Sequence, residues 1–99
     1  MKSGYKIRWT SHALSELKHT INYLRLNFSE RELKRLASEI ERTLDLITEN
    51  PLMFPHVKIK NVHRAVILRF NTLYYRIHNE EIQIISFFSN RKNPEKRKF

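Results

Sequence analysis

NVHRAVILRFNTLYYRIHNEEIQIISFFSNRKNP, residues 61–94, is the stretch on which the fold turns. Runs rich in Val, Ile, Phe and Tyr occupy 62–70, 73–78 and 82–89, separated by the polar pairs Asn71-Thr72 and Asn79-Glu80. β-branched and aromatic residues bounded by two-residue polar breaks predict three antiparallel strands joined by hairpins. Neither break holds a glycine, so the turn type stays open. The first run is nearly continuously apolar yet carries His63, Arg64 and Arg69, and the second sets Arg76 among aromatics. A sheet this apolar needs covering, and the preceding half of the chain supplies the cover.

Working outward, YKIRW at 5–9 alternates apolar with basic residues, the period of a half-buried strand with Tyr5, Ile7 and Trp9 inward. Thr10 or Ser11 is placed to cap a helix whose apolar positions, Leu14, Leu17, Ile21, Leu24 and Phe28, recur at three and four residues. Ser29-Glu30-Arg31-Glu32 matches a capping box. The helix it opens carries Leu33, Leu36, Ala37, Ile40, Leu44 and Ile47 on one face and stops at Asn50-Pro51, because proline disfavours helix in the residue before it. Each stripe lasts only two to three heptads and faces away from mixed charges, which describes a packed αα-hairpin rather than a coiled coil or a membrane-surface helix. LMFP at 52–55 is expected to fold back over a core edge, and 56–60 to add a short strand there. The order strand, helical hairpin, antiparallel meander predicts an α+β domain with the helices on one side of a single sheet.

Ninety-nine residues make one domain with room for a core, here residues 1–99 with a basic tail at about 90–99. The sequence has no cysteine, hence no disulfide or thiolate metal site, and no apolar run of membrane-spanning length. A soluble, cytoplasmic protein is the expectation. Nineteen Lys and Arg against ten Asp and Glu give +9, but residues 1–49 hold only +2 of it and residues 50–99 hold +7. Such asymmetry suits a polyanion or an acidic protein partner, against the plainer reading of charge for solubility. No His, Asp or Glu set has metal-ligand spacing, and the single glycine, Gly4, excludes a glycine-rich phosphate loop. Neither a metal nor any other cofactor is expected.

YKIRWT, the helical pair ending in ITENPLMFP, the arginine in VHRAVI, the LYYRI strand and the closing FFSNRKNP stand here in an order that resembles toxins of the RelE/ParE superfamily of bacterial type II toxin–antitoxin systems. The resemblance covers residues 5–94. It implies a compact toxin held inactive by an antitoxin whose tail wraps around it, and one of two targets. RelE-like members cleave messenger RNA in the ribosome, whereas ParE-like members poison DNA gyrase.

RNA cleavage needs a base for the 2′-hydroxyl, an acid for the departing oxygen and fixed cations for the charge that builds on the phosphate. His63 and His78 are the proton-carrying candidates, and Arg64, Arg76 and Arg91 the phosphate grips. Strand alternation puts Tyr74, Arg76 and His78 on one face, so one strand offers a stacking ring, an anion clamp and an acid or base. Against this, a histidine beside a turn is often a plain surface side chain, and an arginine amid aromatics often pairs with a helix carboxylate. The sequence also departs from the RelE-like pattern. Lys58 and Lys60 are the lysines available ahead of the aromatic strand, and the terminal Phe99 has no proton to give.

The ParE-like branch is therefore the preferred expectation. There nothing need be catalytic: Tyr74 and the tail residues Arg91, Lys92, Lys96, Arg97 and Lys98 would contact the target or its DNA, and the helical hairpin would be a recognition surface. The expected partners are a cognate acidic antitoxin and either gyrase or ribosome-bound mRNA, with no membrane partner and the oligomeric state left open. A non-toxic nucleic-acid-binding module, stacking bases on Tyr74, Tyr75, Phe87 and Phe88, is the third reading.

Overall fold

Thr10 alone separates the first strand from the first helix, and its side chain does both halves of that job. In the computed structural model, which describes residues 5–58 and 61–89, Thr10 Oγ1 accepts the Ala13 N–H at 3.1 Å and so caps the helix. The same hydroxyl and the Thr10 N–H both donate to the Ile84 carbonyl, at 3.1 and 3.0 Å, fixing the helix start to a central strand. The elements are β1 (Lys6–Trp9), α1 (Ser11–Asn27), α2 (Glu30–Glu49), β2 (Val62–Ile67), β3 (Asn71–His78) and β4 (Glu81–Ser89). The four strands form one sheet in the order β1-β4-β3-β2, with β1 parallel to β4 and the other pairs antiparallel. α1 lies along β4, and α2 reaches β2 at one sheet edge and β1 at the other. The α+β architecture and the helical cover are those expected. No helix among the described residues is long and apolar enough to cross a membrane.

The core gathers Leu24, Leu36, Ile40 and Ile47 from the helices against Ile67, Leu73, Tyr75, Ile82, Ile84 and Phe87 of the sheet, with Tyr5, Ile7 and Trp9 packed at its side. Alternation explains the set, with one interruption. Tyr74 pairs with Ser86 but Tyr75 pairs with Ile84, so Ile85 is the extra residue of a bulge. The bulge resets the alternation and lets Phe87, opposite Leu73, enter the core.

Several local expectations are corrected. β2 ends at Ile67, and Leu68, Arg69 and Phe70 form the turn, so Asn71-Thr72 begins β3 rather than breaking the chain. Leu68 and Arg69 take left-handed φ of 51° and 65°, a conformation that costs a residue with a Cβ about 1–2 kcal/mol. Three contacts hold them there: Asn71 Nδ2 donates to the Ile67 carbonyl at 3.1 Å, Leu68 packs on the core, and the Arg69 guanidinium lies 5.5 Å from the Phe70 ring centre. At the second hairpin Asn79, φ 55°, takes the position a glycine would otherwise fill.

On α1 the buried line is Ala13, Thr20 and Leu24, whereas Leu14 and Phe28 are 45% and 40% exposed. The helix is rolled so that Glu16 meets the sheet. Ser29 precedes α2, but its hydroxyl caps nothing; its backbone carbonyl takes the Glu32 N–H at 3.0 Å and closes the turn instead. In the loop after α2, Leu52 and Met53 are exposed, and the contact with the core is made by Phe54. Of the strand expected at 56–60, the described part is an isolated bridge between His56 and His63; residues 59 and 60 lie outside the described residues.

Candidate functional site

β-strand registry divides the sequence-derived candidates between two faces. Leu73, Tyr75 and Ile77 point to the core, so Tyr74, Arg76 and His78 share the opposite, outer face. Arg64 is registered with Tyr74 and joins them, while Val62 is registered with Arg76. Arg64, Arg76 and His78 are exposed, but Tyr74, Tyr75 and Phe87 are buried, which corrects the expectation that these rings are presented for stacking on bases. Neither guanidinium pairs with a carboxylate among the described residues, in contrast to Arg8, which meets Glu81 at 3.2 Å. The outer face thus offers two unneutralised arginines spaced across adjacent strands, the geometry that suits a carboxylate- or phosphate-bearing partner.

His63 is on the other side. It is registered with Tyr75, is 2% exposed, and stacks on the Tyr75 ring with centroids 5.1 Å apart and planes 11° from parallel. Its Nδ1 lies 2.8 Å from the Phe54 carbonyl, which makes Nδ1 the protonated nitrogen, and His56 packs edge-on at 4.2 Å. The two histidines that the sequence offers as an acid and a base are therefore separated by the thickness of the sheet. Tyr75 completes this core-side cluster. Its hydroxyl donates to the Pro51 carbonyl at 2.6 Å, and burial pushes its phenol well above the ordinary tyrosine range.

At the far end of the outer face His78 is registered with Glu81. Hydrogen bonds from Gln83 and then Arg8 hold the Glu81 carboxyl below its ordinary range, with His78 a lesser contributor. Arg91, Lys92, Lys96, Arg97 and Lys98 lie outside the described residues.

Two features escaped the sequence. β1 pairs with β4 only as far as Ile84, and past that point the Glu16 carboxylate stands in for a strand. Its Oε1 accepts the Phe87 N–H and the Ser86 hydroxyl, both at 2.8 Å, and Oε2 lies 3.3 Å from His12 Nε2. The signal for it was a second line on α1, Ala13, Glu16, Thr20 and Leu24, at the same three- and four-residue spacing as the apolar stripe. The second feature is an open groove of about 540 Å³ between α1 and α2, floored by Leu17, Ile21, Leu33, Ala37, Ile40 and Leu44. The stripe residues do face one another, but part of the seam is left uncovered.

The family model that matches the sequence is that of the ParE toxin of the type II toxin–antitoxin system parDE, over residues 7–94. No curated protein matches the sequence significantly. Among solved structures, the fold is similar to a chain of the chromosomal ParDE toxin–antitoxin system from P. aeruginosa, with TM-score 0.71 and 14% identity over 86% of this chain and 95% of that one. It is also similar to a chain of the E. coli DinJ-YafQ toxin–antitoxin complex, with TM-score 0.62 and 10% identity over 88% and 93%. Identities this low speak for the fold alone.

Proposed function

Because the chain belongs to the ParE toxin family of type II toxin–antitoxin systems, within the RelE/ParE superfamily, we propose that it arrests growth by binding DNA gyrase and is held inactive by an acidic antitoxin. The observation that carries the choice of target is the separation of the histidines. His63 is buried in the core cluster with Tyr75 and Phe54, whereas Arg64, Arg76 and His78 are on the outer face. A 2′-hydroxyl attack needs proton acceptor and donor within reach of one phosphate, and His63 does not reach the arginines without unfolding its cluster. Binding to a protein target makes no such demand. Arg64 and Arg76, which meet no carboxylate among the described residues, supply charge for carboxylates of an antitoxin, and the tail residues 91–98 supply it for the target or its DNA.

A RelE-like ribonuclease is the second reading, favoured by the exposed Arg64, Arg76 and His78 sharing one face. It would need no metal and would use His78 as its proton carrier. One experiment separates the two readings. The purified chain is added to gyrase with supercoiled plasmid, and in parallel to a translating ribosome reaction with labelled mRNA. The expected result is gyrase-dependent linear DNA with intact mRNA. Codon-spaced mRNA cuts with gyrase unaffected would overturn the gyrase reading.

A further inference from the structure

We propose that residues 90–99 fold back as a strap across the outer face of the sheet and close over Tyr74 in the free chain. Both helices and Phe54 pack on the side of Tyr75, and no element among the described residues packs on the outer face. A tyrosine ring standing on such a face keeps its hydroxyl end in water unless something lies across it. Yet Tyr74 is 4% exposed, and Thr72, two residues before it on the same face, is 5% exposed. Along β3 the burial then stops, because Arg76 and His78, the next two residues of this face, are exposed. The cover therefore enters from the Thr72 end.

That end is where β4 finishes: Ser89 is registered with Asn71, and the half-buried Phe88 with Thr72. Ten residues follow Ser89, and Asn90, Asn93 and Pro94 among them are turn formers that suit a reversal of the chain. Residues 95–99 span about 16 Å when extended, and Tyr74 lies three residues along β3 from Asn71, about 10 Å. The other undescribed stretches adjoin the wrong end. Residues 1–4 lead into β1, where Lys6 is registered with Glu81, itself opposite the exposed His78. Residues 59–60 adjoin Val62, which is registered with the exposed Arg76. Arg64 and Arg76 flank Tyr74 rather than lie over it, so the strap meets neutral residues and keeps its five basic side chains in water. The arginines stay open to a partner while the ring between them is shut off. Lifting the strap uncovers the ring and frees the basic side chains together; their use on a target rests on the gyrase reading, whereas the strap itself does not.

Nitration with tetranitromethane, mapped to each tyrosine by mass spectrometry, tests the closure, and Tyr75 on the core side reports folding. In the full chain Tyr74 should react as slowly as Tyr75. In a chain ending at Ser89, Tyr74 should react at least about tenfold faster while Tyr75 stays protected. A reactive Tyr74 in the full chain, or equal protection in both chains, would overturn the proposal. If the shortened chain unfolds, Tyr75 reacts as well, and the full chain decides. The sequence has no cysteine, so a nitroxide attached to Val66→Cys, an exposed position registered with Thr72, labels the outer face alone. It should broaden the amide signals of residues 95–98, and sharp signals there would equally overturn the strap.

Discussion

Replacing Tyr75 by Phe tests the core-side cluster at a single oxygen. The ring stays, and with it the stack on His63 at 5.1 Å and the edge contact with Phe54 at 6.3 Å. What is lost is the 2.6 Å hydrogen bond to the carbonyl of the buried Pro51, which then has no donor among the described residues. An orphaned buried acceptor costs about 1–3 kcal/mol. At about 2 kcal/mol, the melting temperature of a domain this size falls by roughly 8–16 °C. The alkaline limb provides a second, independent reading. Burial raises the Tyr75 pKa above its ordinary 10.0, so the folded chain keeps a proton that the unfolded chain gives up. This contribution is whole below about pH 10 and is lost as pH rises beyond it, at about 1.4 kcal/mol per pH unit. The wild type should lose its advantage over Tyr75→Phe at that rate, and a gap of about 2 kcal/mol at pH 8 should close near pH 11.5. Urea unfolding followed by the fluorescence of Trp9, the single tryptophan, measures both. A gap unchanged between the two pH values would show that Tyr75 titrates alike in both states and would refute the reasoning.

Two further outcomes follow from the placement of charge. Glu16→Ala removes the acceptor shared by the Phe87 N–H and the Ser86 hydroxyl and should destabilise the chain by about 2 kcal/mol, while Glu16→Gln, which keeps a carbonyl oxygen there, should cost less; equal unfolding midpoints for the two variants would contradict this role. Reversing Arg64, Arg76 and Arg91 to Glu should weaken capture of the proposed acidic antitoxin by at least tenfold in a calorimetric titration. Undiminished binding by a variant of unchanged melting temperature would remove the arginine face from the antitoxin contact.

What was legible from the residues was whatever rests on periodicity. The period-2 run at 5–9 put Tyr5, Ile7 and Trp9 against the core, and the stripe of α2 put Leu36, Ile40 and Ile47 there. What was hidden depended on partners distant in sequence. Asn71 reads locally as a turn former, but its side chain closes the turn from within β3 by bonding Ile67, so the break shifts onto the apolar 68–70. Leu14 reads as core, but the demand of β4 for an acceptor beyond Ile84 rolls α1 toward Glu16 and leaves Leu14 outside. The facing of His63 was open because an apolar run such as VHRAVI gives no alternation to read, and only pairing with Tyr75 decides it.

The two halves of the chain differ in charge. A body of net +9 repels its own copies, and at 0.1 M salt that repulsion persists over a Debye length of about 10 Å. Six of the acidic residues that offset the total, Glu30, Glu32, Glu39, Glu41, Asp45 and Glu49, lie on α2, opposite Arg31, Lys34, Arg35 and Arg42 on the same helix. The sheet carries Lys6, Arg8, Arg64 and Arg76 against Glu81, its first turn adds Arg69, and residues 90–99 add five basic side chains against Glu95 alone. That half repels a copy of itself and attracts carboxylates or phosphates.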